Sequence, residues 1–137
     1  MSIFDSSSPW PSRSLSLLRI VSGLLYFVSG SMKVFHYPVM PGYPMPPFSP
    51  TSLVGVAGLI EVVGGILIAL GLFTRPAAFI CSGQMAAAYF MGHAAQSFFP
   101  QINQGMPALL LCFVFFHFLF AGPGAWSVDH VIAARRK

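Results

Sequence analysis

Residues Thr51–Phe73 read TSLVGVAGLIEVVGGILIALGLF, an apolar run of 23 residues with a single charged side chain, Glu61. About 20 such residues suffice for an α-helix to cross a hydrocarbon core of about 30 Å. A helix also bonds its backbone polar groups internally, as lipid requires. The stretch therefore predicts a transmembrane helix with a carboxylate near its middle.

The composition of the whole chain indicates a membrane as its solvent. Of the 137 residues, 55% are hydrophobic and 7% are charged, and the mean hydropathy is +0.75. Soluble domains carry about 25% charged residues, so these charges are too few to cover a water-facing surface. The net charge of +4 comes from dispersed basic residues, which form no phosphate-binding patch and give no reason to expect nucleic acid.

Four hydrophobic blocks divide the chain. They predict helices at about 15–35, 51–73, 76–92 and 105–121. The predicted fold class is all-α, a four-transmembrane-helix bundle that occupies residues 1–137 as a single domain. The first loop, residues 36–50, contains six prolines in fifteen positions and is expected to form a stiff cap across one end of the bundle. A lid over a site and a docking surface remain alternatives for this loop.

The orientation of the bundle follows from its basic residues. The residues Arg13, Arg19, Arg75, Arg135, Arg136 and Lys137 fall on one side of a four-helix arrangement. The loops on the other side, 36–50 and 93–104, contain no Lys or Arg. Cytoplasmic loops are enriched in Lys and Arg, so both termini are expected in the cytoplasm.

The first two helices each carry one face of small and polar residues. On the first helix it comprises Arg19, Ser22, Gly23, Tyr26, Ser29, Gly30 and Lys33, and on the second it comprises Gly58, Glu61, Gly64, Gly65 and Ile68. Spacings of three and four place each set on one side of its helix. We expect both faces to turn inward, where small residues allow helices to approach closely.

An intramembrane polar site is predicted at Arg19, Lys33, Glu61 and Gln84. Ionisable groups inside a membrane are costly and often functional, although Ser22, Ser29 and Gln84 also fit ordinary bonds between helices. Glu61 is expected to bond to Gln84, to hydroxyls of the first helix or to water. If the first helix ends near residue 36 and the second begins near residue 51, Lys33 lies nearer the outer surface by about 10 Å, so a direct ion pair would need a reaching lysine and a shifted helix.

Two histidines have open interpretations. His93 converges by depth with Asn103 on an outer-side site, but it lies about 180° around the helix from Gln84, so the two share a face only if the helix end unwinds. His117 fits a bond between helices better than haem or quinone contact. Methionines near His36 and His93 resemble soft-metal ligands, but methionine is common in apolar spans, and no metal site is predicted.

The order of these residues resembles the DoxX family of small four-helix bacterial inner-membrane proteins. The resemblance runs through RIVSGLLYFVSGSMK (19–33), GLIEVVGGILIALGLFTRPAA (58–78), MAAAYFMGH (85–93), Phe99, Pro100, Asn103, Gly105 and GPGAWSVD (122–129). Positions that match the family pattern are Arg19, Lys33, Glu61, Arg75, His93, Asn103 and Asp129. Where the family tends to show Gly-Gly-Glu after the asparagine, this chain has Gln104-Gly105-Met106.

The resemblance implies a multi-pass protein of the bacterial inner membrane near redox or sulfur metabolism, since the family's namesake is associated with thiosulfate:quinone oxidoreductase. No recognisable cofactor motif occurs, so independent catalysis is not expected. The favoured function is an accessory membrane subunit of a quinone-linked redox complex that helps shape a quinone-accessible pocket. The alternatives are a proton or solute conduit and a structural or assembly protein. Besides the lipid bilayer, other membrane subunits are the expected partners, docked on the outward side of the fourth helix at Phe115 and Phe118 and on the proline-rich loop.

Overall fold

The computed structural model describes residues 7–136, and every regular element in that range is helical. The elements are α1 (Trp10–Val34), α2 (Leu53–Leu70), α3 (Thr74–Ala88) continued by a π-helical turn (Tyr89–His93), α4 (Pro100–Asn103), α5 (Met106–Ala121) and α6 (Val128–Arg135). The all-α class is therefore confirmed. The four predicted helices correspond to α1, α2, α3 with its π-turn, and α5.

Two of the helices, α1 and α2, are long and apolar enough to cross a membrane. Their outer faces carry large apolar side chains such as Leu24 and Leu25 on α1 and Val63 on α2, all more than half exposed. A surface of this kind suits acyl chains rather than water. The shorter α5 is also apolar.

Helices α1 and α2 run antiparallel and share the most extensive contact between elements. Their closest approaches pair Gly23 with Ala69, Phe27 with Gly65, and Gly30 with Val62. A Cβ added to any of these three glycines would lie 2.6 to 2.7 Å from backbone atoms of the facing helix. Glycine is therefore required for this packing, which fixes the register of the two helices.

A second pair, α3 and α5, packs beside the first. The Tyr26 ring of α1 meets the Phe115 ring of α5 edge to face, with centroids 4.8 Å apart. The apolar core around this contact consists of Tyr26, Ile68, Ala77, Ala78, Cys81, Met85, Tyr89, Ala108, Phe115 and Phe118. The prediction that Phe115 and Phe118 face outward is wrong, because both are completely buried. The exposed aromatic residues of α5 are Phe113, Phe116 and Phe120.

The two shortest helices are absent from the sequence-based prediction. α4 has four residues and α6 has eight, too few for a hydrophobic period to be recognised. α6 begins at a capped position, since Ser127 Oγ accepts the His130 backbone N–H at 3.1 Å. A side-chain oxygen at this position satisfies a donor that the first helical turn leaves unpaired.

Candidate functional site

Five hydrogen-bonded side chains connect α1, α2 and α3. Tyr26 donates its phenol hydrogen to Gln84 Oε1 at 2.7 Å, and Gln84 Nε2 donates to Glu61 Oε1 at 3.2 Å. The other carboxylate oxygen, Glu61 Oε2, lies 2.6 Å from Lys33 Nζ. Lys33 also donates to Ser29 Oγ at 2.8 Å. These five residues are called the polar cluster below.

The polar cluster contains the expected Gln84–Glu61 bond, but the expectation that Glu61 forms no direct ion pair with Lys33 is wrong. Lys33 packs against Gly58, where an added Cβ would be 2.9 Å from Lys33 Cβ, so the lysine stands only about one turn from the glutamate. Side chains on a helix also tilt toward its N-terminus. The ammonium group of Lys33 therefore reaches back to Glu61.

Glu61 is almost completely buried, with 2% of its side chain exposed, whereas the Lys33 side chain is 21% exposed. A buried carboxylate needs a counter-charge and further hydrogen bonds to be tolerated. Both are present here, because Lys33 binds one oxygen and Gln84 the other. The pair is thus compensated inside the bundle.

A cavity of about 1010 Å³ lies beside the polar cluster, and all five cluster residues border it. Its remaining walls come mainly from α2, α3, the π-turn and α5 and are mostly apolar, with residues such as Ile60, Met85 and Leu111. Leu53 on α2 and Leu110 on α5 line the cavity and are at least 60% exposed. The cavity therefore opens on the side of the bundle, between apolar surfaces.

His93 lines this cavity together with Gln84. The π-turn explains how two residues expected on opposite faces of one helix meet at one site. Its defining bond runs from the Ala94 N–H to the Tyr89 carbonyl oxygen at 2.9 Å. A π-turn holds one more residue than an α-turn, so later side chains lag around the axis. This is the unwinding that a shared face requires.

Asn103 holds the segment between the π-turn and α5. Its amide Nδ2 donates to the Ser97 carbonyl at 2.7 Å and to the Tyr89 hydroxyl at 3.3 Å, and its Oδ1 accepts the Gly105 N–H at 2.7 Å. The Asn103 backbone oxygen lies 3.0 Å from His93 Nδ1. The two predicted outer-side residues are therefore in direct contact, and Asn103 positions the histidine.

Arg19 does not join the polar cluster, although the sequence placed it in the same intramembrane site. Its guanidinium donates to the carbonyl oxygens of Ile68 and Ala69 at 2.6 Å, of Pro123 at 2.7 Å and of Trp126. Arg19 is completely buried. Five N–H donors in a planar fork suit several carbonyls at once. Arg19 therefore fastens the end of α2 to the turn before α6.

Asp129 strengthens the same end of the bundle. Its carboxylate oxygens accept the backbone N–H groups of Phe73 and Thr74, both at 2.9 Å, at the start of α3. The Asp129 N–H in turn donates to the Gly71 carbonyl at 2.9 Å. This role could not be derived from the sequence, because Asp129 caps a helix that begins 55 residues earlier. Arg75 donates to the Leu119 carbonyl at 3.0 Å and lies outside the cavity.

Sequence reasoning placed Tyr26 and Ser29 on the inward face of α1 but did not assign them to the site. The signal that could have found them is their spacing, since Ser29 is four residues from Lys33 and Tyr26 is seven. Residues at these spacings share a helix face. His117 is exposed on α5 and does not line this cavity.

Helices of bilayer length, lipid-like outer surfaces and an ion pair with a buried carboxylate beside an apolar cavity define this chain as a small helical membrane protein. It matches the DoxX family model over residues 14–94. A protein of Haemophilus influenzae (strain ATCC 51907 / DSM 11121 / KW20 / Rd), described as uncharacterized, is 45% identical over 120 residues, which cover 85% of this chain and 88% of the relative. The chain belongs to the DoxX family. No solved structure matches it.

Proposed function

We propose that this chain is an accessory subunit of a quinone-linked redox complex in the bacterial inner membrane, and that its cavity receives the quinone. The observation that carries the proposal is the cavity of about 1010 Å³ with apolar walls and the polar cluster at its border. Small-molecule sites typically combine apolar walls with a few polar groups that fix orientation. A quinone has matching chemistry, since an apolar ring and tail carry two carbonyl oxygens.

Gln84 supplies a donor for such a carbonyl. Gln84 Nε2 carries two hydrogens and donates one of them to Glu61. The second is available to a ligand in the cavity that Gln84 borders. Lys33 adds a positive charge at the same border, and its ammonium group already donates to Ser29 and Glu61. A donor of this kind orients a ligand that accepts hydrogen bonds.

The proposal includes four membrane spans with both termini in the cytoplasm. α3 and its π-turn together cover residues 74–93, which amounts to about 30 Å at 1.5 Å per residue. The 16 residues of α5 cover about 24 Å. The basic residues of the three regions on one side, against none in the two opposite loops, support this orientation.

A membrane partner is proposed at the exposed aromatic face of α5 and at the outer loop. The α5 residues of this surface are Phe113, Phe116 and Phe120, and the loop residues are Tyr37, Val39 and Tyr43. Their large exposed apolar area supports contact with another subunit or with lipid. This surface replaces the one first expected at Phe115 and Phe118.

The two other functions have less support. A conduit built on Arg19, Glu61 and Lys33 would need these groups to lie along one path. All hydrogen bonds of Arg19 go to backbone carbonyls at the end of α2 and before α6. A purely structural role would explain the ion pair but not the cavity beside it.

The test is stabilisation of the purified protein by decylubiquinone, since a ligand that binds only the folded state raises its unfolding temperature. Ala57→Phe places a large ring on the cavity wall, whereas Val63→Phe places it on the exposed side of the same helix. We expect the quinone to raise the Tm of the wild type and of Val63→Phe but not of Ala57→Phe. Equal shifts in all three, or no shift in the wild type, would contradict quinone binding in this cavity.

The accessory role has a separate test in native membranes. We expect the tagged chain to co-purify with a redox subunit, and the triple variant of Phe113, Phe116 and Phe120 to alanine to recover less of it. The matched control is alanine at Phe79, an exposed aromatic residue of α3. Equal recovery with folded triple and control variants would remove α5 as the docking surface.

A further inference from the structure

His93 borders the cavity, and the contact of one ring nitrogen defines the character of the other. Its Nδ1 lies 3.0 Å from the Asn103 carbonyl oxygen. A carbonyl oxygen only accepts hydrogen bonds, so Nδ1 carries the proton. In the neutral ring, Nε2 then holds a lone pair and acts as an acceptor. Nε2 has no hydrogen-bond partner within residues 7–136.

The surroundings of His93 hold the ring in this tautomer. Asn103 is 1% exposed, and its side chain is fixed by bonds to Ser97, Tyr89 and Gly105. The Asn103 backbone oxygen is therefore held beside His93 Nδ1. His93 is the last residue of the π-turn and borders the cavity. Such turns occur frequently at functional sites.

Two residues that border the cavity, from different parts of one continuous helix, thus carry two kinds of polar group. Gln84 has a spare N–H donor, and His93 has an acceptor nitrogen. Both border the same cavity with apolar walls. A ligand that matches both groups needs an acceptor oxygen and a hydroxyl hydrogen on an otherwise apolar body.

We propose that His93 makes the cavity selective for hydroxyl-bearing aromatic amphiphiles, so that it binds a quinol more tightly than the matching quinone. This inference rests on the proposed function and adds the preferred redox form of the ligand. A quinol O–H donates to His93 Nε2, whereas a quinone carbonyl would place two acceptors against each other. A site that bonds a substrate hydroxyl discriminates against an analogue that lacks it, here by about the free energy of one hydrogen bond. His93 is therefore a specificity-determining residue.

The experiment compares the affinities of decylubiquinol and decylubiquinone for the purified protein by anaerobic titration calorimetry. We expect the wild type to prefer the quinol by about tenfold, which equals about 1.4 kcal/mol and is the usual size of one hydrogen bond. His93→Phe should bind both forms equally. His93→Gln, which keeps an acceptor oxygen, should retain part of the preference. Gln96→Ala, an exposed position beyond the cavity wall, should behave as the wild type.

The outcomes separate this inference from the proposed function. Equal affinity of the wild type for both forms would overturn the selectivity and leave quinone binding intact. Absence of binding by either form would overturn both. A preference that survives in folded His93→Phe would remove His93 as its cause. The comparison within the wild type decides the main point even if a variant fails to fold.

Discussion

Gly30 of α1 lies directly against Glu61 of α2, so close that a Cβ at position 30 would be 2.7 Å from Glu61 Cβ. This contact places the carboxylate between the two helices and within reach of Lys33 one turn further along α1. The ion pair therefore depends on a glycine that carries no chemistry of its own. The close approach of the two backbones therefore also buries the carboxylate of Glu61.

Alanine at position 30 is expected to separate the helices and destabilise the protein by about 1 to 3 kcal/mol, the usual range for overpacking. Gly83 on α3 is the matched control, because an added Cβ there meets nothing within 4 Å. Gly83→Ala should be neutral or stabilise by up to about 1 kcal/mol through helix propensity. Equilibrium unfolding in detergent measures both variants. Equal stability of the two would contradict the α1–α2 packing.

Removing Lys33 is expected to destabilise more than removing the whole ion pair. Lys33→Met leaves the Glu61 carboxylate buried without a counter-charge, which typically costs about 3 kcal/mol. The double variant Lys33→Met with Glu61→Met replaces both charges by apolar groups and should recover most of that loss. Arg136→Met, at an exposed position near the end of the chain, is the control. Unfolding free energies that simply add in the double variant would show that the two groups do not interact.

The sequence predicted the helices and their inward faces because burial against a neighbour leaves a period of three to four residues. The buried residues of α2 include all five positions of its predicted face, Gly58, Glu61, Gly64, Gly65 and Ile68. The register between α1 and α2 could not be predicted, since it depends on which glycines meet. The register observed in the structure brings Lys33 to Glu61.

Asp129 is expected to order the start of α3 from the far end of the chain. Asp129→Ala should destabilise by about 1 to 2 kcal/mol, as loss of a capping side chain usually does. Asp129→Asn retains one acceptor oxygen and should lose less. Amide hydrogen exchange at Phe73 and Thr74 reports the cap directly. Unchanged protection at both amides in a folded Asp129→Ala variant would exclude this role.

The proposed topology predicts opposite labelling of two exposed positions. Cysteine at Tyr43 in the outer loop should react with an impermeant thiol reagent added outside, and cysteine at Ala134 in α6 should not. The native Cys81 and Cys112 are first replaced by alanine. Labelling of Ala134→Cys from outside intact right-side-out inner-membrane vesicles, without labelling of Tyr43→Cys, would contradict the proposed orientation.

The sequence predicted residues of the candidate site, but not how they divide into separate hydrogen-bond networks. The sequence placed Arg19, Lys33, Glu61 and Gln84 in one site, because they are polar residues within apolar runs. In the structure Arg19 instead joins a separate network of backbone carbonyls around Pro123. A sequence does not show which backbone carbonyl oxygens will accept hydrogen bonds from a side chain. The π-turn also cannot be recognised in the sequence, because it adds a residue to a helical turn without a distinctive motif. Helical periodicity alone therefore places His93 opposite Gln84, whereas in the structure, with its π-turn, both residues border the cavity.

Photolabelling with a short-tailed azidoquinone, followed by peptide mass spectrometry, tests the central claim most directly. We expect adducts on cavity-wall residues such as Met91, Met106 and Leu110. Unmodified decylubiquinone should compete with the label, and Ala57→Phe should abolish it. Adducts confined to exposed residues outside the cavity, such as Val63 and Phe79, without competition would contradict quinone binding at this site.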